Sequence, residues 1–388
     1  MAKIYLVRHC EAEGNVTRRM QANAEALVTA RGYAQCECLR RRFEGVHIDA
    51  VYSSDAFRAI QTALPLAEER GLRLRVSLAL REIAAGVWED TAWGNIMAEY
   101  PEAYRRWRQT PWDLATPGCS SFQEVGERLL CGLLCWGSSY VIMFITKWLL
   151  AVPDGVAVAA SHSCAIKAAQ CLMLQKPMTE MKEMGHGENT SVSLLHFDAD
   201  GTIRVAYRND VSHLPPELRQ EHIGIPPADI NVAVYPARLP EQADVLLELA
   251  SQEAAQRGVA FDGPQWLHGA EALLRQHPDF LAIGYLHDKP CGFVRMELED
   301  SLPAGCALIR QIYVIPALQE RGFCEQLYGY AVHQLRYTRI VDTALLPAHG
   351  SPDVERLASR FGYTAAEGCG TYRSLYLFTP PCPYPLLF

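Results

Sequence analysis

Residues 4–15 read Ile-Tyr-Leu-Val-Arg-His-Cys-Glu-Ala-Glu-Gly-Asn. The apolar run from Ile4 to Val7 has the character of a buried strand, and it stops at Arg8-His9 before a turn. Strand ends are where α/β folds place their chemistry. An imidazole beside a guanidinium suits phosphoryl transfer, since one can attack phosphorus and the other can hold its oxygens. A bare Arg-His pair would read as a structural histidine at a strand end. Three further stretches change that reading.

Tyr52-Ser53-Ser54-Asp55-Ala56-Phe57-Arg58-Ala59-Ile60-Gln61-Thr62-Ala63 puts a second arginine just inside a helix start. Leu80-Arg81-Glu82-Ile83-Ala84-Ala85-Gly86-Val87-Trp88-Glu89 supplies an acid, and Val156 to Ser163 is another apolar strand ending in a histidine, His162. These four blocks, in this order, resemble the histidine phosphatase superfamily, also called phosphoglycerate mutase-like. The resemblance covers about residues 1–220 and implies an α/β/α sandwich with a mainly parallel sheet. It implies His9 as the nucleophile that forms a phosphohistidine. Arg8, Arg58 and His162 would cradle the phosphoryl oxygens, where the transition state carries negative charge. Glu82 would be the general acid, protonating the leaving oxygen and then activating water. Glu89 and Asp90 lie close by, but Glu82 alone falls on the family's acid position, four residues before Gly86. Asn15, Gln21 and Ser163 would bind phosphate or substrate. This route needs no metal, because Arg and His supply the positive charge.

The chain departs from the family at Cys10 and Ser163, each in place of a Gly that allows close backbone approach beside a reacting histidine. The usual Pro-Gly-Gly-Glu-Ser is Pro117-Gly118-Cys119-Ser120-Ser121, so its Glu is lost. Leu27, Thr29, Gly32 and Gln35 keep the family's substrate-loop stretch. These changes bear on substrate choice more than on phosphoryl chemistry. A phosphoglycerate-type mutase carries a different motif around the acid, and Leu80 to Trp88 has the phosphatase form.

Length allows two domains at 388 residues, and a hydrophobic share of 49% supports sizeable cores. A net charge of −8 argues against a general nucleic-acid binder. The 13 cysteines are odd in number and contain no Cys-x-x-Cys pair, which suits reduced thiols in a cytoplasmic protein better than disulfides or zinc. Met1-Ala2-Lys3 runs straight into the first strand, leaving no room for a signal peptide. One segment, Leu129 to Val152, is long and apolar enough to suggest a membrane span. A span there would separate His162 from His9, so the expectation is two helical stretches broken near Gly137. They would form a cap or a homodimer contact, with no membrane partner.

Leu214-Pro215-Pro216 and Ile225-Pro226-Pro227 bracket a linker, placed at 223–230 between domains at 1–222 and 231–388. Beyond it, Ala307 to Pro316 reads as a strand, followed by Gln319-Glu320-Arg321-Gly322-Phe323-Cys324 and a helix. A Gly at such a turn lets backbone N–H groups face a phosphate at a helix start. This block resembles the pyrophosphate loop of the Gcn5-related N-acetyltransferase (GNAT) family, and Arg360-Phe361-Gly362-Tyr363 resembles that family's late Gly-aromatic turn. The resemblance implies a smaller mixed sheet split at an acetyl-CoA site. Ile312 and Val314 would pair with pantetheine, and Gln319, Arg321, Gly322 and Cys324 would form the loop. Many members carry a Tyr four residues before the late Gly, and here that position is Ala358. Glu297 and Glu299 are weak candidates for a base, and Tyr328 and Tyr330 read as packing. The tail from Pro380 to Phe388 reads as too proline-rich for regular structure. The combined expectation is a bifunctional enzyme: a phosphatase of a small phosphorylated metabolite, joined to an acetyltransferase acting on an amine. The alternatives are a phosphatase with a non-catalytic acyl-CoA sensor and a phosphoglycerate-type mutase.

Overall fold

The computed structural model describes residues 2–387 apart from 115, 135–153, 199–201, 220–224, 299, 339–340, 349 and 368–369. Most of Leu129 to Val152 therefore lies outside the described residues, as does Glu299. Among the described residues no helix is long and apolar enough to cross a membrane.

The first half runs β1 (Ala2–Arg8), α1 (Glu13–Val16), β2 (Arg19–Met20), α2 (Ala30–Arg42), β3 (Ala50–Ser53), α3 (Phe57–Glu68), β4 (Leu74–Ser77), β5 (Thr91–Ala92), α4 (Trp93–Glu99), α5 (Pro101–Gln109), α6 (Phe122–Leu134), β6 (Val156–Ser161), α7 (Ser163–Met173), β7 (Val192–Phe197) and β8 (Ile203–Asp210). The second runs β9 (Ala233–Pro236), α8 (Ala243–Arg257), α9 (Gly263–Gln276), β10 (Leu281–Leu286), β11 (Lys289–Glu297), β12 (Cys306–Val314), α10 (Phe323–Tyr337), β13 (Thr343–Pro347), α11 (Pro352–Phe361), β14 (Thr364–Ala365), β15 (Tyr372–Tyr376) and β16 (Leu386–Leu387).

In the first sheet the order is β16-β4-β3-β6-β1-β7-β8. Strands β4, β3, β6 and β1 are mutually parallel, so their C-terminal ends share one edge. Strands β7 and β8 close the far side antiparallel. Central strands buried on both faces must be apolar throughout, and Ile4, Leu6, Val7, Ala157, Val158 and Ala159 are fully buried.

The second sheet is mixed, with order β14-β15-β13-β12-β11-β10-β9, and among the described residues only the β12/β13 pair is parallel. His287 and Asp288 join β10 to β11 as a two-residue turn, both at positive φ. Strand β12 pairs with β13 only from Cys306 to Leu308. The β11/β12 register shifts between Gln311 and Ile309, leaving Arg310 as an extra residue. Such a bulge bends its strand, and here the bend coincides with the point where β12 leaves β13. The expected split is present.

The tail departs from the sequence reading. After Pro380, Pro381, Pro383 and Pro385, residues Leu386 and Leu387 pair in parallel with Val76 and Ser77 of β4. A lone edge strand can accept a short partner, and prolines ahead of the pairing residues remove no ladder hydrogen bond. The second half of the chain thus returns to the first sheet.

Candidate active site

The C-terminal ends of β1 and β6 deliver His9 and His162 to the same sheet edge, their ring centroids 5.1 Å apart. Arg58 arrives from the first turn of α3, which follows β3 at that edge. Arg8, His9, Arg58, His162 and Glu82 are all buried.

The hydrogen bonds fix the tautomers. His9 Nδ1 lies 2.7 Å from the Cys10 carbonyl, which can only accept, so Nδ1 carries the proton and the Nε2 lone pair is free. An Arg58 Nη2 donates to His162 Nδ1 at 3.4 Å, which leaves His162 Nε2–H to donate to Ser54 Oγ at 2.9 Å. Burial holds His9 well below the ordinary imidazole range, and the nearby Arg58 and Arg8 charges add to it. The same burial, with Arg58, His9 and Arg8, depresses His162. Both rings are neutral at neutral pH, and His9 presents an unprotonated nitrogen.

The two arginines are buried cations whose hydrogen-bond acceptors, besides His162 Nδ1 on Arg58, are carbonyl oxygens. Arg8 donates to Gly187 O at 2.5 Å, and Arg58 to Ala22 O at 2.6 Å and Ala24 O at 2.9 Å. Both Nε–H groups are buried without a partner. Burial lowers the affinity of each for its proton, the cost of holding two cations out of water.

Glu82 lies in the same site, but its bonds add a duty that the sequence did not show. Its carboxylate accepts from the N–H groups of Ile83 at 2.9 Å, Cys164 at 3.0 Å and Ala165 at 2.9 Å. The last two belong to the first turn of α7, so Glu82 caps that helix. Ser163 opens α7 and shares a small cavity with Arg8. Asn15 Oδ1 accepts from Ala12 N–H at 3.0 Å, and Gln21 is buried against Gly14 with Nε2 unpartnered.

Four contributors were missed. Glu89, given no role beside Glu82 in the sequence reading, is half-buried. It accepts from Asn23 N–H at 3.0 Å, Ala24 N–H at 3.1 Å and Ala85 N–H at 2.9 Å, so it holds the loop that touches Arg58. Burial raises its pKa. Ser54 and Thr62 sit inside the quoted block and bond His162 Nε2 and Cys10 N–H. Asn189 donates to His9 O at 3.0 Å and Asn15 Oδ1 at 3.3 Å, and no motif marks it.

In the second half, Gly322 is the N-cap of α10 at φ 81°, where a side chain is strained. The first N–H groups of α10 have no acceptor within the helix, as a phosphate-binding turn requires. Gln319 turns its side chain inward, donating to Val314 O at 2.8 Å, and Arg321 is exposed over the Phe323 ring. Ile312, Val314 and Cys324 are buried. Ala358 is buried on α11, beside a core in which Tyr328 stacks on Phe361 at 4.4 Å. Tyr328 and Tyr363 hydroxyls are 3.1 Å apart, so the packing reading of Tyr328 holds. Glu297 is tied to Arg295 and Arg310 at 2.9 and 2.6 Å. The turn before α10 leaves backbone N–H groups open to an anion, while position 358 carries no hydroxyl.

A family model for the histidine phosphatase superfamily (branch 1) matches residues 4–210, and one for the acetyltransferase (GNAT) family matches 246–363. Phosphoserine phosphatase 1 of Hydrogenobacter thermophilus is 28% identical over 198 residues, covering 51% of this chain and 88% of the relative. The probable phosphoglycerate mutase GpmB of Salmonella typhi is 27% identical over 220 residues, covering 55% and 95%. Among solved structures, YhfR of Bacillus stearothermophilus is 27% identical at a TM-score of 0.50, covering 55% of this chain and 99% of that one.

Proposed function

Because this chain belongs to the histidine phosphatase superfamily, we propose that its first domain hydrolyses a phosphomonoester of a small metabolite through a phosphohistidine at His9. The observation that carries the reading is a His9 whose Nδ1 is taken by the Cys10 carbonyl, set beside His162 and two buried arginines that, among the described residues, form no ion pair with a carboxylate. Nε2 attacks phosphorus as the bond to the leaving oxygen breaks, and Glu82 gives that oxygen its proton. Water then attacks phosphorus, the Nε2–P bond breaks, and the water proton goes to Glu82. Arg8, Arg58 and His162 bind the equatorial oxygens, and the arginines exchange carbonyl partners for phosphate. Asn15, Gln21 and Ser163 bind the rest of the substrate. The name of the phosphoserine phosphatase relative supports hydrolysis of a small phosphorylated metabolite. Free thiols at the described cysteines suit a cytoplasmic setting.

For the second domain the reading is acetyl-CoA bound at Gln319 to Cys324, with Ile312 and Val314 in the part of β12 that β13 leaves unpaired, and acetyl transfer to an amine. Ala358 favours a second reading, in which the domain binds acyl-CoA without transferring it. A screen of phosphorylated metabolites against the purified chain tests the first domain. Acetyl-CoA turnover against an amine panel separates the two readings of the second. Phosphate release from no ester at all would defeat the phosphatase reading.

A further inference from the structure

Helix α10 belongs to the second domain, yet one of its faces reaches the loop of the first domain that lies across Arg58. That loop, Gln21 to Ala26, offers the Ala22 and Ala24 carbonyls to the arginine. Two carboxylates hold its stems. At the first, Asp90 N–H donates to Met20 O at 2.8 Å, and Arg19 Nε donates to the Asp90 carboxylate at 2.9 Å. At the second, Glu13 Oε2 accepts from Leu27 N–H at 3.1 Å, and Glu13 N–H donates to Leu27 O at 3.0 Å.

Both carboxylates are then engaged by α10. His333 Nδ1 lies 2.6 Å from Asp90 Oδ2, and Arg336 Nη2 lies 2.7 Å from Glu13 Oε2. Residues 329, 333 and 336 share one helix face by their spacing. Gly329 lets that face close down, because a Cβ there would lie 2.5 Å from the Thr17 Cβ. On α11, Arg360 lies 3.6 Å from Glu11, two residues beyond His9. A cleft between the two halves is lined by Glu13, Gln21, Asp90, His333 and Arg336.

We propose that His333 and Arg336 are positioning residues of the phosphatase: the second domain clamps both stems of the loop that sets the geometry around Arg58 and Gln21. This rests on the phosphatase reading of the first domain. Neither residue touches the reacting atoms; they act through Asp90 and Glu13. With the clamp removed, Glu13 is left as a buried charge without its cation, and both carboxylates that hold the stems lose their support from α10. Phosphate binding should suffer more than the chemical step.

The test uses the full chain carrying His333→Ala and Arg336→Met together, with Arg336→Met alone as a milder variant and Arg336→Lys as the conservative one. Amide exchange of residues 21–27 reads the loop directly, with β1 and β6 amides as the control for the fold. An aryl phosphate supplies KM and kcat. In the double variant, exchange in 21–27 should speed up and KM should rise, each about tenfold, with kcat within about threefold and Arg336→Lys recovering most of the loss. Unchanged exchange in 21–27 with an unchanged KM overturns the clamp. If the double variant does not fold, the same two readings on Arg336→Met decide it. If the wild-type chain hydrolyses no phosphate ester, the phosphatase reading fails on its own, and the exchange measurement still decides whether α10 holds the loop.

Discussion

On the proposed reading, both halves of this chain bind an anion where a strand runs into a helix, but with different parts. At β1 the binding groups are side chains: two guanidiniums and two imidazoles, buried and held by carbonyls, by Ser54 and by one another. At β12 they are backbone N–H groups at the start of α10, with Gly322 supplying a conformation that other residues adopt only under strain. A side-chain site is broken by removing a functional group. A backbone site is broken by adding one.

The largest effect should come from the side-chain site. His9→Ala should lower aryl phosphate hydrolysis by about 10³-fold or more, with the fold intact by circular dichroism. Near-wild-type turnover would sink the assignment of the nucleophile.

Glu82→Gln comes next. It should cost about 10²–10⁴ in rate on alkyl phosphates and less on aryl phosphates, whose leaving groups need less protonation. The variant should also lose about 0.5–2 kcal/mol of stability, because an amide cannot cap α7 as a carboxylate does. Equal losses on both substrate classes would reduce Glu82 to a capping residue.

The backbone site responds in the opposite way. Acetyl-CoA should raise the melting temperature of the wild-type chain. Gly322→Val should remove that shift, whereas Gln319→Ala should leave most of it, since the inward-turned Gln319 donates to Val314 O. Equal loss in both variants would mean that side chains carry this site too.

The smallest effect concerns pH. Burial and Arg42 hold His213 at about 4, and burial depresses His9 and His162 as well. Their unfolded-state values lie higher, so the unfolded chain binds more protons. This stability is fully present above the unfolded value of about 6.5 and is lost as pH falls through the lower folded values. Denaturant midpoints should therefore drop between about pH 7 and pH 5. A flat midpoint over that span would show that the three rings are exposed in solution.

The parts of the first site that were legible in the sequence are those set by parallel strands. Apolar runs ending at Arg8-His9 and Ser161-His162 had to deliver their last residues to one edge. Glu89 was missed because a carboxylate near a Trp looks the same whether it faces solvent or holds a loop. The contacts of α10 were missed for a related reason. Phe323 to Val332 is buried almost without a break, which says that two surfaces cover the helix but does not name the second. The strand at Leu386 was hidden because four prolines dominate the composition just before it.

The central claim is that His9 carries the phosphoryl group. Rapid acid-free quench of the wild-type chain during turnover, followed by peptide mapping, should find an acid-labile phosphoryl group on the peptide containing His9 and none on the peptide containing His162. Turnover by the wild-type chain with no such group on His9, or the same labelling in His9→Ala, would contradict the account.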